Sequence, residues 1–159
     1  MAFAPLSRLP KGMLVILKEA ARHILRRPVI GVAAAARTAD GRWVLIRRAD
    51  TGTWGLPGGT LEWGETLNEC LARELLEEAG VTKLEVKRLV GAFSAPDRDP
   101  RFHAVTVLVE CLVESPAQEP VNPLEILEVA LFEPGTVPEL ALGQSDMLRA
   151  AESGDTRFE

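Results

Sequence analysis

Apolar positions along the chain follow two periods. Between residues 10 and 27, Met13, Leu14, Leu17, Ala20, Ala21, Ile24 and Leu25 recur three or four residues apart, which predicts an amphipathic helix stopped by Pro28. Residues 28–38, PVIGVAAAART, are a continuous apolar run and read as a buried strand. Asp40-Gly41 is a hairpin signal, and residues 42–48, RWVLIRR, return as the partner strand. Further strands are predicted over 81–95, 103–113 and 126–133, with helices over 66–79 and near 144–153. Loops fall at 49–53, 95–102 and 115–123, and the closing DTRFE reads as a frayed tail. Strands predominate around one strong central helix, so the expected class is α/β, a mixed sheet sandwiched by helices. The chain divides into an N-terminal helical extension (1–28), a main domain (29–153) and a C-terminal tail (154–159), with no internal repeat and no linker.

The central helix carries the first chemical signal. Thr66 and Glu69 have the spacing of a capping box, and Gly80 fits the position just past the helix end. Leu67, Leu71 and Leu75 make one apolar stripe, while Glu74 and Glu78 stack on another face and Glu77 joins them. Like charges at this spacing cost an isolated helix roughly 0.2–0.5 kcal/mol per pair, and carboxylates near a helix C-terminus oppose its dipole. Arg73 is four residues from both Glu69 and Glu77 and cannot neutralise the whole group. A divalent cation would, because hard cations such as Mg²⁺ take carboxylate and phosphate oxygens. Gly58 and Gly59, just upstream, let backbone approach a metal or a phosphate closely. On the helix pattern alone, a solvated acidic face and a metal site stand level.

Composition narrows the class of partner. At 159 residues, with 47% hydrophobic and 26% charged residues, the chain matches one globular domain with a sizeable core. A formal net charge of −5 argues against a broad grip on nucleic acid but leaves room for a local phosphate pocket. The two cysteines, Cys70 and Cys111, form no zinc-binding pattern and suit buried thiols of a reducing compartment. The apolar run MLVIL at 13–17 is too short to span a membrane and has no signal-peptide cleavage pattern after it. A soluble, cytoplasmic protein is expected.

A longer pattern joins the glycines to the helix. Gly59 is followed after five residues by Glu65, and after seven more by Arg73-Glu74-Leu75, Glu77-Glu78 and Gly80-Val81. This resembles the signature of the Nudix hydrolases, Gx5Ex7REUxEExGU with U aliphatic, and every fixed position matches. Trp54 and LPGG at 56–59 precede it in the manner of that family. The resemblance runs from residue 29 to about 150 and leaves the first 28 residues outside. It implies an α/β/α sandwich with a mixed central sheet, the signature forming a loop–helix–loop. It also implies hydrolysis of a nucleoside diphosphate linked to another moiety, with Mg²⁺ or Mn²⁺ as cofactor. By the same resemblance Glu74 and Glu78 are the principal metal ligands, and Glu77 is a further ligand or acts through water. The carbonyl of Gly58 adds a backbone ligand. Arg73 orients the glutamates through Glu65 or Glu77, Gly80 is structural, and Gly59 is structural beside the substrate. The general base varies within the family, and Glu77, Glu125 and Glu128 are the candidates.

A second stretch bears on the substrate. The segment RDPRFH at 98–103 resembles a loop of Nudix enzymes of the ADP-ribose pyrophosphatase type. Arg98 and Arg101 are candidate phosphate ligands, since a guanidinium binds phosphate through two parallel hydrogen bonds. Asp97 and Asp99 could instead neutralise them within a turn. Arg47 and Arg48 end a strand beside the glycine loop, where alternation sends one to the site and the other to solvent. His103 reads as structural, and Phe93, Phe102, Trp43, Trp54 and Trp63 are candidates to stack on a base. The expected activity is Mg²⁺-dependent cleavage of ADP-ribose or a related nucleoside diphosphate sugar to a nucleoside monophosphate and a sugar phosphate. The alternatives are hydrolysis of (deoxy)nucleoside triphosphates, oxidised ones included, then of RNA ends, and then a non-catalytic nucleotide-binding module. The intact Glu65, Glu74, Glu77 and Glu78 count against the last. The partner is a small nucleotide, with neither membrane nor nucleic acid. The apolar face of the N-terminal helix is expected to pack on its own domain or on a second copy in a homodimer.

Overall fold

The alternation of small apolar residues in strand β1 (Val29–Thr38) sets the layers of the molecule. The computed structural model describes residues 11–25, 27–99, 101–116, 120–141 and 143–159. Val32, Ala34 and Ala36 face one way, toward helix α2 (Leu67–Ala79), and Ala33 and Ala35 face the other, toward helix α3 (Gln144–Ser153). The return strand β2 (Trp43–Arg48) repeats this division: Val44 and Ile46 join the α2 core, Trp43 and Leu45 the α3 core. A sheet covered on both faces needs apolar residues at consecutive positions, which explains the unbroken runs of both strands. The result is the expected α/β sandwich with a mixed sheet.

The glycine loop after β2 is more ordered than the sequence reading expects and forms two short strands, β3 (Trp54–Gly55) and β4 (Gly58–Thr60). The sheet continues through β5 (Leu84–Phe93), β6 (Ala104–Val113), β7 (Ile126–Phe132) and β8 (Arg157–Phe158), in the order β3-β2-β1-β6-β5-β8. β4 pairs with β1, and β7 pairs with β2. The β1–β6 and β5–β8 pairs are parallel and the others antiparallel. β1 and β6 pair along their whole length, from Val29 with Ala104 to Thr38 with Val113, and this fixes the centre of the sheet.

Both caps of α2 form as the sequence predicts. Thr66 accepts from the Glu69 backbone N–H, the Glu69 carboxylate accepts from that of Thr66, and Gly80 ends the helix at φ 66°. Cys70, Leu71, Leu75 and Ala79 are buried, but Leu67, expected in the stripe, is the first residue of the helix and is 38% exposed. One other expectation is corrected. Residues 157 and 158, read as frayed, pair with Gly91 and Ala92 as β8. In the N-terminal helix α1 (Lys11–Leu25), Met13, Val15, Ile16 and Leu17 are all exposed. Among the described residues no helix is long and apolar enough to cross a membrane.

Candidate active site

The site is built where β4 meets the C-terminal half of α2. Gly58 has φ 152°, and a Cβ there would lie 2.2 Å from the Val32 carbonyl oxygen, so only glycine fits against β1. A Cβ on Gly59 would fall 2.1 Å from Oε1 of Glu74. The two glycines therefore clear the space into which α2 projects its carboxylates. The cleft so formed has a volume of about 720 Å³. Gly58, Gly59, Arg73, Glu74, Glu77 and Glu78 line it together with Arg48, Arg101, Glu125 and Gln144.

Arg73 organises the acidic wall. Its Nε and Nη2 donate to the two carboxylate oxygens of Glu65 at 2.7 and 3.1 Å. Nη1 donates to Glu74 at 2.9 Å and to Glu77 at 3.3 Å, and Nη2 also reaches the Thr60 carbonyl at 3.2 Å. One guanidinium thus bonds Glu65, Glu74 and Glu77 together. Glu69, the other partner considered for it, is held in the capping box instead. The Arg73 guanidinium and the Glu62 backbone N–H hold the Glu65 carboxyl at about 2, well below the ordinary carboxylate range.

Glu74 and Glu78 behave in the opposite way. Burial pushes the Glu74 carboxyl up, and Arg73 opposes that shift. Glu78 is 6% exposed, and burial raises its carboxyl to about 7. The Gly58 N–H, donating at 2.8 Å, lowers it, as does the charge of Arg48, while the neighbouring Glu74 and Glu125 raise it further. Two desolvated carboxylates beside a third acidic group are an electrostatic cost that a bound cation would offset. This donor set, all oxygen and part buried, fits a hard divalent cation. As the side chains stand, Arg73 bridges Glu74 and Glu77, and among the described residues no three acidic, His or Cys side chains converge on one point.

Two arginines also line the cleft. Arg48 binds Asp50 through Nε and Nη2 at 3.0 and 3.1 Å. Arg101 binds Asp99 through Nε and Nη2 at 3.0 and 2.7 Å and reaches the same Asp50 at 3.3 Å. Asp50 therefore draws two guanidinium groups together at the cleft. Arg47 and Glu128, by contrast, are cross-strand partners that pair with each other at 3.7 Å and do not line it. A register shift at Arg47/Arg48 separates the two arginines, and only Arg48 and Glu125 line the cleft. Arg98 does not line it either and is held by Glu159. His103 is structural, its Nε2 bonded to the Ser94 carbonyl at 2.8 Å. Of the five aromatic candidates Phe102 alone lines the cleft; Trp43 and Phe93 are buried, Trp54 packs edge-on against Phe132, and Trp63 is fully exposed.

Sequence reasoning missed Gln144. Its Oε1 accepts the Leu56 backbone N–H at 2.8 Å, which holds the start of α3 against the glycine loop. A lone glutamine so far from the signature carries no pattern, and only the fold brings it to the site.

Comparison with known proteins places this architecture. The model of the NUDIX domain matches residues 27–151. The chain belongs to the Nudix family. Over 72 residues this Nudix chain is 43% identical to an ADP-ribose pyrophosphatase of Methanocaldococcus jannaschii, covering 43% of the chain and 42% of that protein. Over 69 residues it is 46% identical to a MutT-like protein of Streptomyces ambofaciens, covering 43% and 44%. The matches thus span less than half the length of each of these relatives. Among solved structures, the NUDIX domain of Shewanella oneidensis NrtR, in complex with ADP ribose, superposes with a TM-score of 0.72 at 22% identity. That likeness covers 92% of this chain and 99% of the other, and it shows a shared fold.

Proposed function

We propose that this Nudix chain is a hydrolase that cleaves the diphosphate linkage of ADP-ribose or a related nucleoside diphosphate sugar, giving a nucleoside monophosphate and a sugar phosphate. One observation carries the reading. Two desolvated carboxylates, Glu74 and Glu78, share a cleft with two arginines, Arg48 and Arg101. The carboxylates suit a cation and the arginines suit phosphate oxygens. The similarity to an ADP-ribose pyrophosphatase supports the choice of substrate.

Glu74 and Glu78 would hold Mg²⁺ or Mn²⁺, with Glu77 and the Gly58 carbonyl completing the protein ligands. A cation bound there supplies polarisation of a phosphoryl oxygen and an acidified water. The chain's own residues do the rest. Arg73 and Glu65 keep the carboxylates in register, and Gly59 leaves room for the diphosphate beside them. Arg48 and Arg101 exchange their bonds to Asp50 and Asp99 for bonds to phosphate oxygens. Glu125, in the cleft, is the general base we favour for the attacking water, with Glu77 second, since Glu128 is paired to Arg47 outside it. The water oxygen bonds to one phosphorus as that atom's bond to the bridging oxygen breaks. The buried, free Cys70 and Cys111 suit a reducing cytoplasm.

The test is product analysis with Mg²⁺ on a panel of ADP-ribose, other nucleoside diphosphate sugars, and nucleoside triphosphates including 8-oxo-dGTP. AMP with ribose 5-phosphate from ADP-ribose supports the reading. The similarity to a putative 8-oxo-dGTP diphosphatase of Bacillus subtilis, 36% identical over 60 residues, favours triphosphates as the second reading, and pyrophosphate release from them alone would establish it instead.

A further inference from the structure

Arg98 sits in the loop whose next residues, Asp99 and Arg101, line the cleft, yet its own guanidinium is engaged elsewhere. Its side chain is 15% exposed and binds both carboxylate oxygens of Glu159, with Nε donating at 2.9 Å. Nη1 donates to the Gly143 carbonyl at 2.9 Å, and the guanidinium lies 5.1 Å from the centre of the Phe93 ring. Glu159 in turn accepts the backbone N–H groups of Ser94 and Ala95, both at 3.2 Å, and its own N–H donates to Ala92 at 3.1 Å. Gly143 directly precedes Gln144, whose side chain holds Leu56 at the glycine loop. One arginine therefore ties the end of β8 to two segments that run into the cleft, residues 94–99 and the start of α3. The backbone makes room for this. A Cβ on Gly91 would fall 2.1 Å from the Arg157 carbonyl oxygen, so β8 lies against β5 only because residue 91 has no side chain.

We propose that Arg98 and Glu159 are positioning residues: their clasp on Gly143 sets Asp99, Arg101 and Gln144 at the spacing that receives the substrate. The proposal rests on the functional reading above, in that the substrate occupies the space between these residues and the glutamates. Neither residue touches the reacting atoms, so the clasp governs substrate binding and leaves the chemical step intact.

The test uses Arg98→Ala, Glu159→Gln and Gly91→Ala, with Lys83→Ala, in a remote exposed ion pair with Glu114, as control. Kinetics are run on whichever panel substrate the parent protein cleaves, and amide hydrogen exchange is followed over residues 94–103. Loss of a charge-assisted hydrogen bond predicts a KM raised about tenfold in Arg98→Ala, with kcat held within about twofold. Arg98→Lys should recover part of the KM, since it keeps the charge but not the three-way reach. Gly91→Ala displaces β8 without touching the ion pair and should reproduce both the KM rise and faster exchange. Should Arg98→Ala fail to fold, Glu159→Gln and Gly91→Ala carry the test. An unchanged KM in the folded variants, or a fall in kcat alone, overturns the proposal. If the parent cleaves nothing on the panel, the functional reading fails on its own. Exchange then decides the clasp, and unaltered protection over 94–103 in all three variants overturns it.

Discussion

Replacing Glu78 by glutamine removes a buried charge at nearly constant shape, and its effect on stability follows from the geometry. The side chain is 6% exposed, and its carboxylate accepts the Gly58 N–H at 2.8 Å. Burial raises the carboxyl from an ordinary 4.5 to about 7. The folded protein thus holds this proton more tightly than the unfolded chain does. The stability contributed is full below about pH 4.5, falls as the pH climbs, and is gone above about pH 7. A separation of that size corresponds to about 3 kcal/mol. The amide keeps an acceptor for Gly58 but brings a new N–H₂ group into a dry site, a pH-independent cost of about 1–3 kcal/mol if it finds no partner. The sharp quantity is therefore the pH dependence of the difference between the two proteins. From pH 4.5 to 8, Glu78→Gln should gain about 3 kcal/mol on the parent, or roughly 6–12 °C of Tm for a chain of this size. Thermal unfolding in a chelator across this range measures it. Added Mg²⁺ should then raise the Tm of the parent at pH 8 and leave that of the variant nearly unchanged, because a ligand stabilises only the state that binds it. Parallel Tm curves for the two proteins across the pH range would refute the assignment of Glu78 as a desolvated carboxylate.

Arg101→Ala and Arg48→Ala should each raise KM for a diphosphate sugar about tenfold or more, whereas Arg47→Ala should leave it near the parent value, as steady-state kinetics would show. Glu125→Gln should lower kcat about 100-fold, while Glu128→Gln leaves it near the parent value, as steady-state kinetics would show. Arg73→Lys cannot reproduce the two-pronged contact with Glu65 and should cost about 1–2 kcal/mol in chemical denaturation, after allowance for partial exposure, with a larger proportional loss of kcat.

Much of the fold was readable because its determinants are local. The capping box at Thr66 and Glu69 and the glycine at 80 form as their spacing predicts. The runs in β1 and β2 are buried on both faces as unbroken apolar strands should be. The acidic wall was readable too, since Glu74, Glu77, Glu78 and Arg73 share a helix and Glu65 lies just before it. What escaped the sequence depends on pairing at long range. Whether Arg47 or Arg48, and Glu125 or Glu128, lines the cleft is settled by how β2 meets β7, with a register shift at the decisive residue. The 154–159 segment looked like a tail because nothing in DTRFE signals that Gly91 would leave a bare backbone for it to lie against. For the same reason the sequence leaves Arg98 as a candidate phosphate ligand. Its motif neighbours are at the cleft, but its partner, Glu159, is 61 residues away.

The central claim is that the Glu74–Glu78 cleft splits a diphosphate linkage with water. Incubating ADP-ribose with the protein and Mg²⁺ in ¹⁸O-water, followed by mass spectrometry of the products, tests it most directly. The account predicts equal amounts of AMP and ribose 5-phosphate, a single ¹⁸O on one of the two phosphates, and no cleavage by Glu78→Gln. Intact ADP-ribose under conditions where triphosphates are cleaved, or full cleavage by Glu78→Gln, would contradict it.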